Sequence, residues 1–291
     1  MPTERRDLLR AAVDVAERAA ERSGVDVRLI GSLAEIHAVS SLFDRIWQPD
    51  KSNPPVTVDQ LRAMTYAGNY LAGAFDHGSL VGACVGFFAA PAGVSMHSHV
   101  AGVAANVRGR SVGFALKLHQ RAWALGQGLT EVTWTFDPLV RRNAYFNLVK
   151  LAATPRDYLV DFYGDMDDGI NIGQGSDRLL VGWDLASDAV VEACAGRAVG
   201  ADDSVTAAAP LALREDKLGE PQVAGGPGTK DVQIIRVQTP ADIEKLRQVN
   251  PAAAKRWRLA VRDVLGGLVA AGAQVTGFSR SGWYAVERVP R

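Results

Sequence analysis

Two arginines and two glycines within a six-residue stretch form the part of this sequence best suited to bind an anion. The stretch contains Arg108, Gly109, Arg110, Ser111 and Gly113, between an apolar segment and an amphipathic one. A turn at a helix start leaves backbone N–H groups without intrahelical acceptors, at the positive end of the helix dipole. Glycines let a ligand approach the backbone closely, and arginine guanidinium groups are suited to phosphate. These residues therefore predict a pyrophosphate site.

The same turn resembles the coenzyme A loop of the GNAT acyltransferase superfamily. That loop runs arginine or glutamine, two residues, glycine, one residue, then glycine or alanine. Arg108 opens this pattern here and Gly113 closes it, with Ser111 at the position of the first glycine. Serine still offers a backbone N–H, and its hydroxyl can bond to a phosphate oxygen. The resemblance extends over about residues 25–185, because the predicted order of strands and helices is also that of the family.

Two other interpretations of the turn compete with this one. A solvated turn that caps a surface helix is the default for an isolated match. A P-loop or dinucleotide site needs a lysine followed by serine or threonine, or an acidic residue at a set distance after a second strand. The sequence has neither at the required place. We therefore favour coenzyme A.

Hydrophobic periodicity predicts the elements that must position this turn. Strand 96–103 leads into the turn, and a helix follows it to residue 126. The predicted order is α+β: a mixed, mostly antiparallel sheet flanked by helices, with a parallel pair at its middle. The other predicted elements are helices at 3–22, 32–47, 58–66 and 139–151, and strands at 25–30, 69–75, 80–89, 129–136, 158–163 and 178–184. Ser32 and Glu35 have the spacing of a capping box.

The chain is predicted to divide into four segments. These are an N-terminal helix at 1–24, a GNAT-like acyl-CoA domain at 25–186, a linker and irregular segment at 187–230, and a C-terminal domain at 231–291. The last segment predicts a strand at 232–237, a long helix at 240–271, and a hairpin at 274–278 and 283–287. This smaller strand–helix–hairpin unit echoes the second half of a GNAT unit. It lacks an arginine-glycine turn, so we expect no second coenzyme A site there.

The resemblance implies that acetyl-CoA or another acyl-CoA, such as succinyl-CoA, is the cofactor and that no metal is required. Val103 is expected to meet the pantetheine arm, and the loop the pyrophosphate. The full set implied for coenzyme A comprises Val103, Arg108, Gly109, Arg110, Ser111, Val112, Gly113, Phe114, Ala115, Asn143 and Phe146.

The catalytic groups are less clearly marked than the coenzyme A loop. Strand 96–103 carries no glutamate, but His97 and His99 lie two residues apart and so on one face. We choose His99 as candidate base, although histidines packed against the sheet are as expected an outcome. The family's tyrosine position falls on Leu148, and Tyr145, one turn earlier, is the candidate acid. Asp137 either binds a substrate ammonium or orients a histidine, or it caps the next helix.

Composition narrows the classes of partner. The 291 residues include 32 basic and 32 acidic side chains, so no basic excess points to nucleic acid or an anionic membrane. Cys84 and Cys194 lie in apolar or alanine-rich runs and are expected to be buried. The charged N-terminus does not resemble a signal peptide, so we expect a cytoplasmic location.

The sequence thus predicts an acyl-CoA-dependent N-acyltransferase that moves an acetyl or succinyl group by direct attack of an amine. The acceptor is expected to be a small-molecule amine or an amino acid. A non-catalytic acyl-CoA-binding or regulatory protein and a protein N-acetyltransferase are the alternatives. A homodimer is left open.

Overall fold

A computed structural model describes residues 3–48, 56–164, 175–197, 209–224 and 234–288. The chain divides into two compact units. The first comprises Met1–Trp134 and Asp184–Ser187, and the second comprises Thr135–Trp183 and Asp188–Arg291. This division falls inside the domain predicted at 25–186. The four predicted segments therefore stay a prediction, and each unit is described by itself.

The first unit contains the elements that lead to and from the arginine-glycine turn. Ser23 ends the first helix, and Gly24 follows with a positive φ of 63°, which suits glycine. The elements are α1 (Thr3–Ser23), β1 (Asp26–Leu29), α2 (Leu33–Trp47), α3 (Val58–Tyr66), β2 (Tyr70–Asp76), β3 (Ser79–Ala89), β4 (Ser95–Val103), a 3-10 turn (Ala105–Val107), α4 (Val112–Gly126) and the start of β5 (Glu131–Phe136).

Two helices of this unit begin at side-chain caps. Ser32 accepts a hydrogen bond from the backbone N–H of Glu35 at 3.3 Å. The Glu35 carboxylate accepts from the Ser32 hydroxyl instead of reaching back to the backbone, so the predicted capping box is only half formed. A complete capping box joins Thr57 and Gln60 at the start of α3. Apolar side chains then bury α2 against the sheet; they include Ile36, Val39, Leu42, Phe43, Leu71, Ala83 and Val85.

The second unit contains the end of β5 and everything that follows apart from Asp184–Ser187. Its elements are α5 (Arg141–Ala144), which continues as a π-helical turn (Tyr145–Lys150), β6 (Thr154–Leu159), β7 (Arg178–Asp184), α6 (Asp188–Cys194), β8 (Leu211–Glu215), β9 (Pro221–Val223), β10 (Ile234–Gln238), α7 (Ile243–Val249), α8 (Pro251–Val261), a second π-helical turn (Arg262–Gly266), α9 (Gly267–Ala270), β11 (Gln274–Phe278) and β12 (Trp283–Glu287).

The strands form two sheets. The larger has seven strands in the order β1-β2-β3-β4-β5-β7-β6, and the smaller has five in the order β11-β12-β10-β8-β9. β4 and β5 are parallel, as are β8 and β10, and the remaining pairs whose register is given are antiparallel. The order β10-β12-β11 in the smaller sheet matches the order β5-β7-β6 in the larger one, and the half-domain expected from the sequence stays a prediction.

Three predicted elements differ from those observed. The strand expected at 158–163 lies earlier, at Thr154–Leu159. The expected linker at 187–230 contains α6, β8 and β9 among its described residues. The long helix expected at 240–271 is interrupted at Asn250, which caps α8 by accepting from the backbone N–H of Ala253 at 3.1 Å. Pro251 has no N–H to continue α7, so a new helix begins there. Residues 232 and 233 of the expected strand 232–237 lie outside the described residues.

Both cysteines are buried, as expected. None of the helices in the described ranges is long and apolar enough to cross a membrane.

Candidate functional site

β4 and β5 separate part-way along their length. They pair as parallel strands from Ser95 opposite Glu131 to His97 opposite Thr133. β4 then runs on to Val103, and both strands are fully described, yet no later residue of β4 pairs with β5. The edge of β4 beyond His97 therefore lies outside its ladder with the first-unit residues of β5, which leaves a gap there. Such a gap offers N–H and C=O groups to an extended ligand.

A β-bulge lies at the point where the gap opens. On the neighbouring strand β3, Val85 pairs with Val100 and the next residue, Gly86, pairs with Ser98. His99 is therefore the extra residue of the bulge. Bulges bend a strand and re-aim its side chains, and they are common beside functional sites. The bulge gives a physical reason for the divergence of β4 from β5.

At the far end of β4, the backbone N–H and C=O of Val103 point away from β3. The N–H of Ala104 donates to the carbonyl of Val81 at 2.8 Å. Hydrogen-bonded and non-bonded pairs alternate along an antiparallel ladder, so Val103, one residue earlier, belongs to a non-bonded pair with Gly82. Its N–H and C=O then point to the opposite side. This orientation fits the pantetheine contact that the resemblance implies for Val103.

The arginine-glycine turn ends in a helix N-terminus with unused donors. Gly109 has a φ of +87° and Ser111 a φ of +64°, which is the left-handed region. The carbonyl of Ser111 accepts from Phe114 and Ala115 at 2.9 and 3.1 Å. Within the described part of the chain, the N–H groups of Val112 and Gly113 have no hydrogen-bond acceptor. Two donors at the positive end of α4 are thus available to an anion.

The two arginines of the turn have different surroundings. Arg110 forms an ion pair with Asp76 at 2.6 Å, and it donates to the carbonyls of Ser23 and Gly24 at 3.0 to 3.3 Å. The side chain of Arg108 is exposed and has no polar partner among the residues that the structure describes. Arg110 therefore braces the turn against α1 and β2, and Arg108 is the arginine available to a ligand.

The two histidines of β4 lie on the same side of the sheet, as predicted. The ring of Phe87 is 5.5 Å from the ring of His97 and 5.9 Å from that of His99. His97 Nδ1 is 3.1 Å from the Thr133 hydroxyl oxygen. Burial lowers the pKa of His97 to about 4, so this ring is neutral near neutral pH. His99 lies at the bulge, where the gap begins.

Asp137 lies in the second unit and is surrounded by arginines. Its buried carboxylate accepts two hydrogen bonds from Arg258, at 2.9 and 2.7 Å, and one from Arg247 at 2.5 Å. It also accepts from the backbone N–H of Leu139 at 2.9 Å, whereas α5 begins later and has Val140 as its N-cap. Burial opposes ionisation, but the guanidinium groups hold the pKa of Asp137 well below its usual range. These contacts favour an anchoring role over a catalytic one.

The remaining predicted residues lie on α5 and its π-helical continuation. Asn143, Tyr145 and Phe146 are all half-buried. The hydroxyl oxygen of Tyr145 accepts a hydrogen bond from Arg280 Nε at 3.0 Å. These three residues belong to the second unit, whereas the turn and the histidines belong to the first. In the described ranges, no group of three or more His, Cys, Asp or Glu side chains is arranged to hold a metal ion.

Sequence reasoning missed the buried Lys117 of α4, which lies on the same helix as the buried Arg121. Lys117 donates to the hydroxyl of Ser98 at 3.2 Å and to the side-chain oxygen of Gln120 at 2.7 Å. Its Nζ lies 3.7 Å from the ring centroid of Trp134. Burial lowers the pKa of Lys117 to about 8. The only sequence signal was its place among the apolar residues of α4.

Of the comparisons with known proteins, only the one with solved structures finds similar chains. No family model and no curated protein matches the sequence. An N-acetyltransferase from Staphylococcus aureus Mu50 is similar, with a TM-score of 0.46 and 14% identity over 55% of this chain and 98% of that one. A ribosomal-protein-alanine N-acetyltransferase from Escherichia coli has a TM-score of 0.45 and 8% identity over 56% and 95%. An aminoglycoside 6'-N-acetyltransferase complexed with coenzyme A has a TM-score of 0.43 and 13% identity over 56% and 98%.

The predicted fold class is confirmed: a mixed, mostly antiparallel sheet flanked by helices, with a second, smaller sheet. Its basis is the strand order of the larger sheet, with a parallel pair at the middle and antiparallel strands on either side. That order was expected from the resemblance. The five strands of the second, smaller sheet all lie after residue 210.

Proposed function

We propose that this chain is an acyl-CoA-dependent N-acyltransferase, which moves an acetyl or succinyl group from coenzyme A to the amine of a small molecule or an amino acid. The observation that carries the proposal lies in the first unit. The open edge of β4 begins after His97. The same strand then leads into the turn, where the N–H groups of Val112 and Gly113 are unused donors. An extended thiol arm ending in a pyrophosphate is a chemical match for that sequence of features.

In this proposal each part of coenzyme A has its own contacts. The N–H groups of Val112 and Gly113 and the side chain of Arg108 bind the pyrophosphate. The backbone of Val103 binds the pantetheine arm. Gly109, Ser111, Phe114 and Ala115 complete the loop and the helix start, and Asn143 and Phe146 are proposed as further contacts. Arg110 does not bind the ligand in this proposal; it stabilises the turn through its ion pair with Asp76.

The reaction is direct attack of the amine on the thioester. The amine nitrogen forms a bond to the carbonyl carbon while a backbone N–H of β4 polarises the carbonyl oxygen. His99 is the proposed base that takes the amine proton. The carbon–sulfur bond then breaks, and Tyr145 is the proposed donor of a proton to the departing thiolate. Asp137 has no role in this proposal, because Arg258 and Arg247 already occupy its carboxylate.

Calorimetric titration with coenzyme A, acetyl-CoA and succinyl-CoA tests this function. Arg108→Ala removes a charge-assisted contact, so we expect acyl-CoA affinity to fall about 10- to 100-fold. Arg18→Ala, which removes an exposed arginine of α1, is the matched control and should leave the affinity unchanged. Equal affinity of the wild type and Arg108→Ala would contradict the pyrophosphate site, and absence of binding by the wild type would contradict the function.

An acyl-transfer assay with free amines and peptides, run beside the titration, separates the alternatives. Coenzyme A binding without turnover of any amine would favour the non-catalytic binding or regulatory protein. Turnover of a peptide N-terminus or lysine in preference to free amines would favour the protein N-acetyltransferase.

A further inference from the structure

β1 is an edge strand of the larger sheet, and half of its backbone groups point outward. In the part of the chain that the structure describes, β2 is the only strand that pairs with it. The N–H of Ile30, one residue beyond β1, donates to the carbonyl of Leu71 at 2.9 Å and continues the register of this pair. Bonded and non-bonded pairs alternate along an antiparallel ladder, so Val27 and Leu29 belong to non-bonded pairs. Their N–H and C=O groups therefore point away from β2.

These outward groups keep their capacity to form hydrogen bonds. Among the described residues, the N–H groups of Val27 and Leu29 have no acceptor. The Leu29 carbonyl has only a contact at 3.4 Å from the side chain of Arg28. Leu29 is 48% exposed, so solvent reaches this edge. An exposed strand edge with unused backbone groups is a template for pairing with another strand.

Two oppositely charged side chains accompany this edge. Asp26 and Arg28 lie two residues apart and so on one face of β1, and their side chains are 72% and 47% exposed. Arg28 also pairs with Glu35 at 2.6 Å and lies over the ring of Phe75. These contacts hold the guanidinium group beside the strand. Because a guanidinium group has several N–H donors, it can still bind a further carboxylate.

The charges favour one symmetric register for two copies of β1. Antiparallel strands related by a two-fold axis at Val27 place Asp26 of each copy opposite Arg28 of the other. Leu29 then lies opposite Val25, and Val27 lies opposite itself. The outward groups of the two Val27 residues bond to each other, and the Leu29 N–H meets the Val25 carbonyl. A two-fold axis at Asp26 or Arg28 would instead place like charges opposite each other, which is destabilising.

We propose that β1 is an interface between two copies of this chain, which pair antiparallel about Val27. The pairing joins the larger sheets of the two copies edge to edge and matches opposite charges on both sides of the axis. It is independent of the proposed function, because it needs neither acyl-CoA nor an acceptor. The strand has 4 residues, so the interface is small and we expect a dimer with a Kd of roughly 1–100 μM.

Cysteine cross-linking of the full chain tests the register. Val27→Cys places two thiols opposite each other at a Cα separation of about 5.5 Å, which a disulfide can span. The thiols of Leu29→Cys would lie about 14 Å apart along the strands. Under mild oxidation we therefore expect Val27→Cys to form a disulfide-linked dimer at least about tenfold faster than Leu29→Cys.

The chain itself supplies the controls for cross-linking. Leu29 is more exposed than Val27, so random collisions would favour the reverse order of rates. Cys84 and Cys194 are buried, so the wild type should not cross-link.

Exchange of the charges tests the pairing of Asp26 with Arg28. By sedimentation velocity, Asp26→Arg should raise the Kd of the dimer at least about tenfold, because it sets like charges opposite each other. Adding Arg28→Asp to Asp26→Arg restores the pairs with their signs exchanged, so the Kd should return to within about threefold of the wild type. Asp14→Arg, at an exposed site of α1, is the matched control and should keep the wild-type Kd. Thermal melting should show all variants folded.

Three results would overturn the inference. A wild type that stays monomeric up to about 100 μM would mean that the charges of β1 protect the edge from pairing. A dimer in which Leu29→Cys cross-links as fast as Val27→Cys would have a different register or a different interface. A dimer whose Kd is unchanged by Asp26→Arg would form through another surface.

Discussion

Arg108 and Arg110 lie two positions apart in the same turn, yet only their folded surroundings reveal different roles. The partners of Arg110 are Asp76, Ser23 and Gly24, which come from α1 and β2, far away in the sequence. The motif alone assigned both arginines to phosphate, because their type and spacing are equivalent. The available donors at the start of α4, by contrast, were predictable from the local pattern.

Exchanging these two arginines for alanine should separate binding from stability. Arg110→Ala loses its ion pair and its contacts to two carbonyls, so we expect the free energy of unfolding to fall by about 1 kcal/mol. Arg108→Ala should leave stability within about 0.5 kcal/mol and should weaken acyl-CoA binding. Urea unfolding and calorimetry on both variants measure the two effects. The reverse pattern, with Arg110→Ala folded normally and Arg108→Ala binding normally, would contradict the assignment.

Ser111 is the one departure from the family pattern within the loop, and its backbone has a φ of +64°. A side chain in the left-handed region costs about 1–2 kcal/mol, which glycine avoids at the cost of a more flexible unfolded chain. Ser111→Gly should therefore stabilise the protein by about 0.5 kcal/mol and retain acyl-CoA binding, because its backbone N–H remains.

Gly109→Ala is the matched comparison for Ser111→Gly. Gly109 has a φ of +87° and open space around the position of a Cβ, so only backbone strain should lower its stability, by about 1–2 kcal/mol. Thermal unfolding checks both changes. Destabilisation by Ser111→Gly would mean that the serine hydroxyl holds the turn.

At the scale of elements, the cause of the divergence of β4 from β5 could not be predicted from the sequence. The glycine at the bulge, Gly86, lies on the partner strand β3, and its place opposite the bulge at His99 depends on a register that the sequence alone does not give. Alternation of side chains along β4 correctly put His97 and His99 on one face. It could not predict that His97 would be half-buried beside Thr133, because β5 comes from a later part of the chain.

The buried lysine of α4 gives the stability of the protein a dependence on pH. The pKa of Lys117 is about 8 in the folded chain, below its ordinary value of 10.5. The unfolded chain therefore binds more protons between these values, and stability rises with pH through that window. Relative to Lys117→Met, the wild type should gain about 2 kcal/mol between about pH 7.5 and pH 9.5.

Urea unfolding of the wild type and Lys117→Met at both pH values measures this gain. The comparison isolates the lysine from Cys84, whose pKa burial raises. A constant difference between the two proteins would mean that Lys117 keeps its ordinary pKa.

At the scale of the whole molecule, the described C-terminal residues form a second sheet of five strands, three of which were predicted. The hairpin at 274–278 and 283–287 was predicted at the observed boundaries, since alternating apolar residues flank a glycine-containing turn. β8 and β9 were missed because they lie in a segment read as irregular from its alanine, glycine and proline content. Their pairing with β10 and with each other depends on partners distant in the sequence.

Replacing Asp137 is the strongest test of which contacts stabilise this C-terminal part. Asp137→Asn leaves Arg258 and Arg247 buried without their carboxylate, so we expect about 3 kcal/mol of destabilisation at about pH 7. Because the folded pKa of Asp137 lies below its unfolded value, the wild type's advantage is present above about pH 4 and is lost as pH falls further.

Asp14→Asn, at an exposed site of α1, is the control and should change stability by less than about 0.5 kcal/mol. Urea unfolding at neutral and acid pH makes the measurement. If Asp137→Asn had normal stability but no acyl-transfer activity, Asp137 would be a catalytic residue and not an anchoring one.

The most direct test of the proposed function is to incubate the full chain with acetyl-CoA or succinyl-CoA and a panel of small amines and amino acids. Release of the coenzyme A thiol and the mass of any N-acylated product are then followed together. We expect thiol release that depends on the amine, with one acylated product for each thiol released. A chain that binds neither thioester, or that releases thiol at the same rate with and without every amine, would contradict the N-acyltransferase.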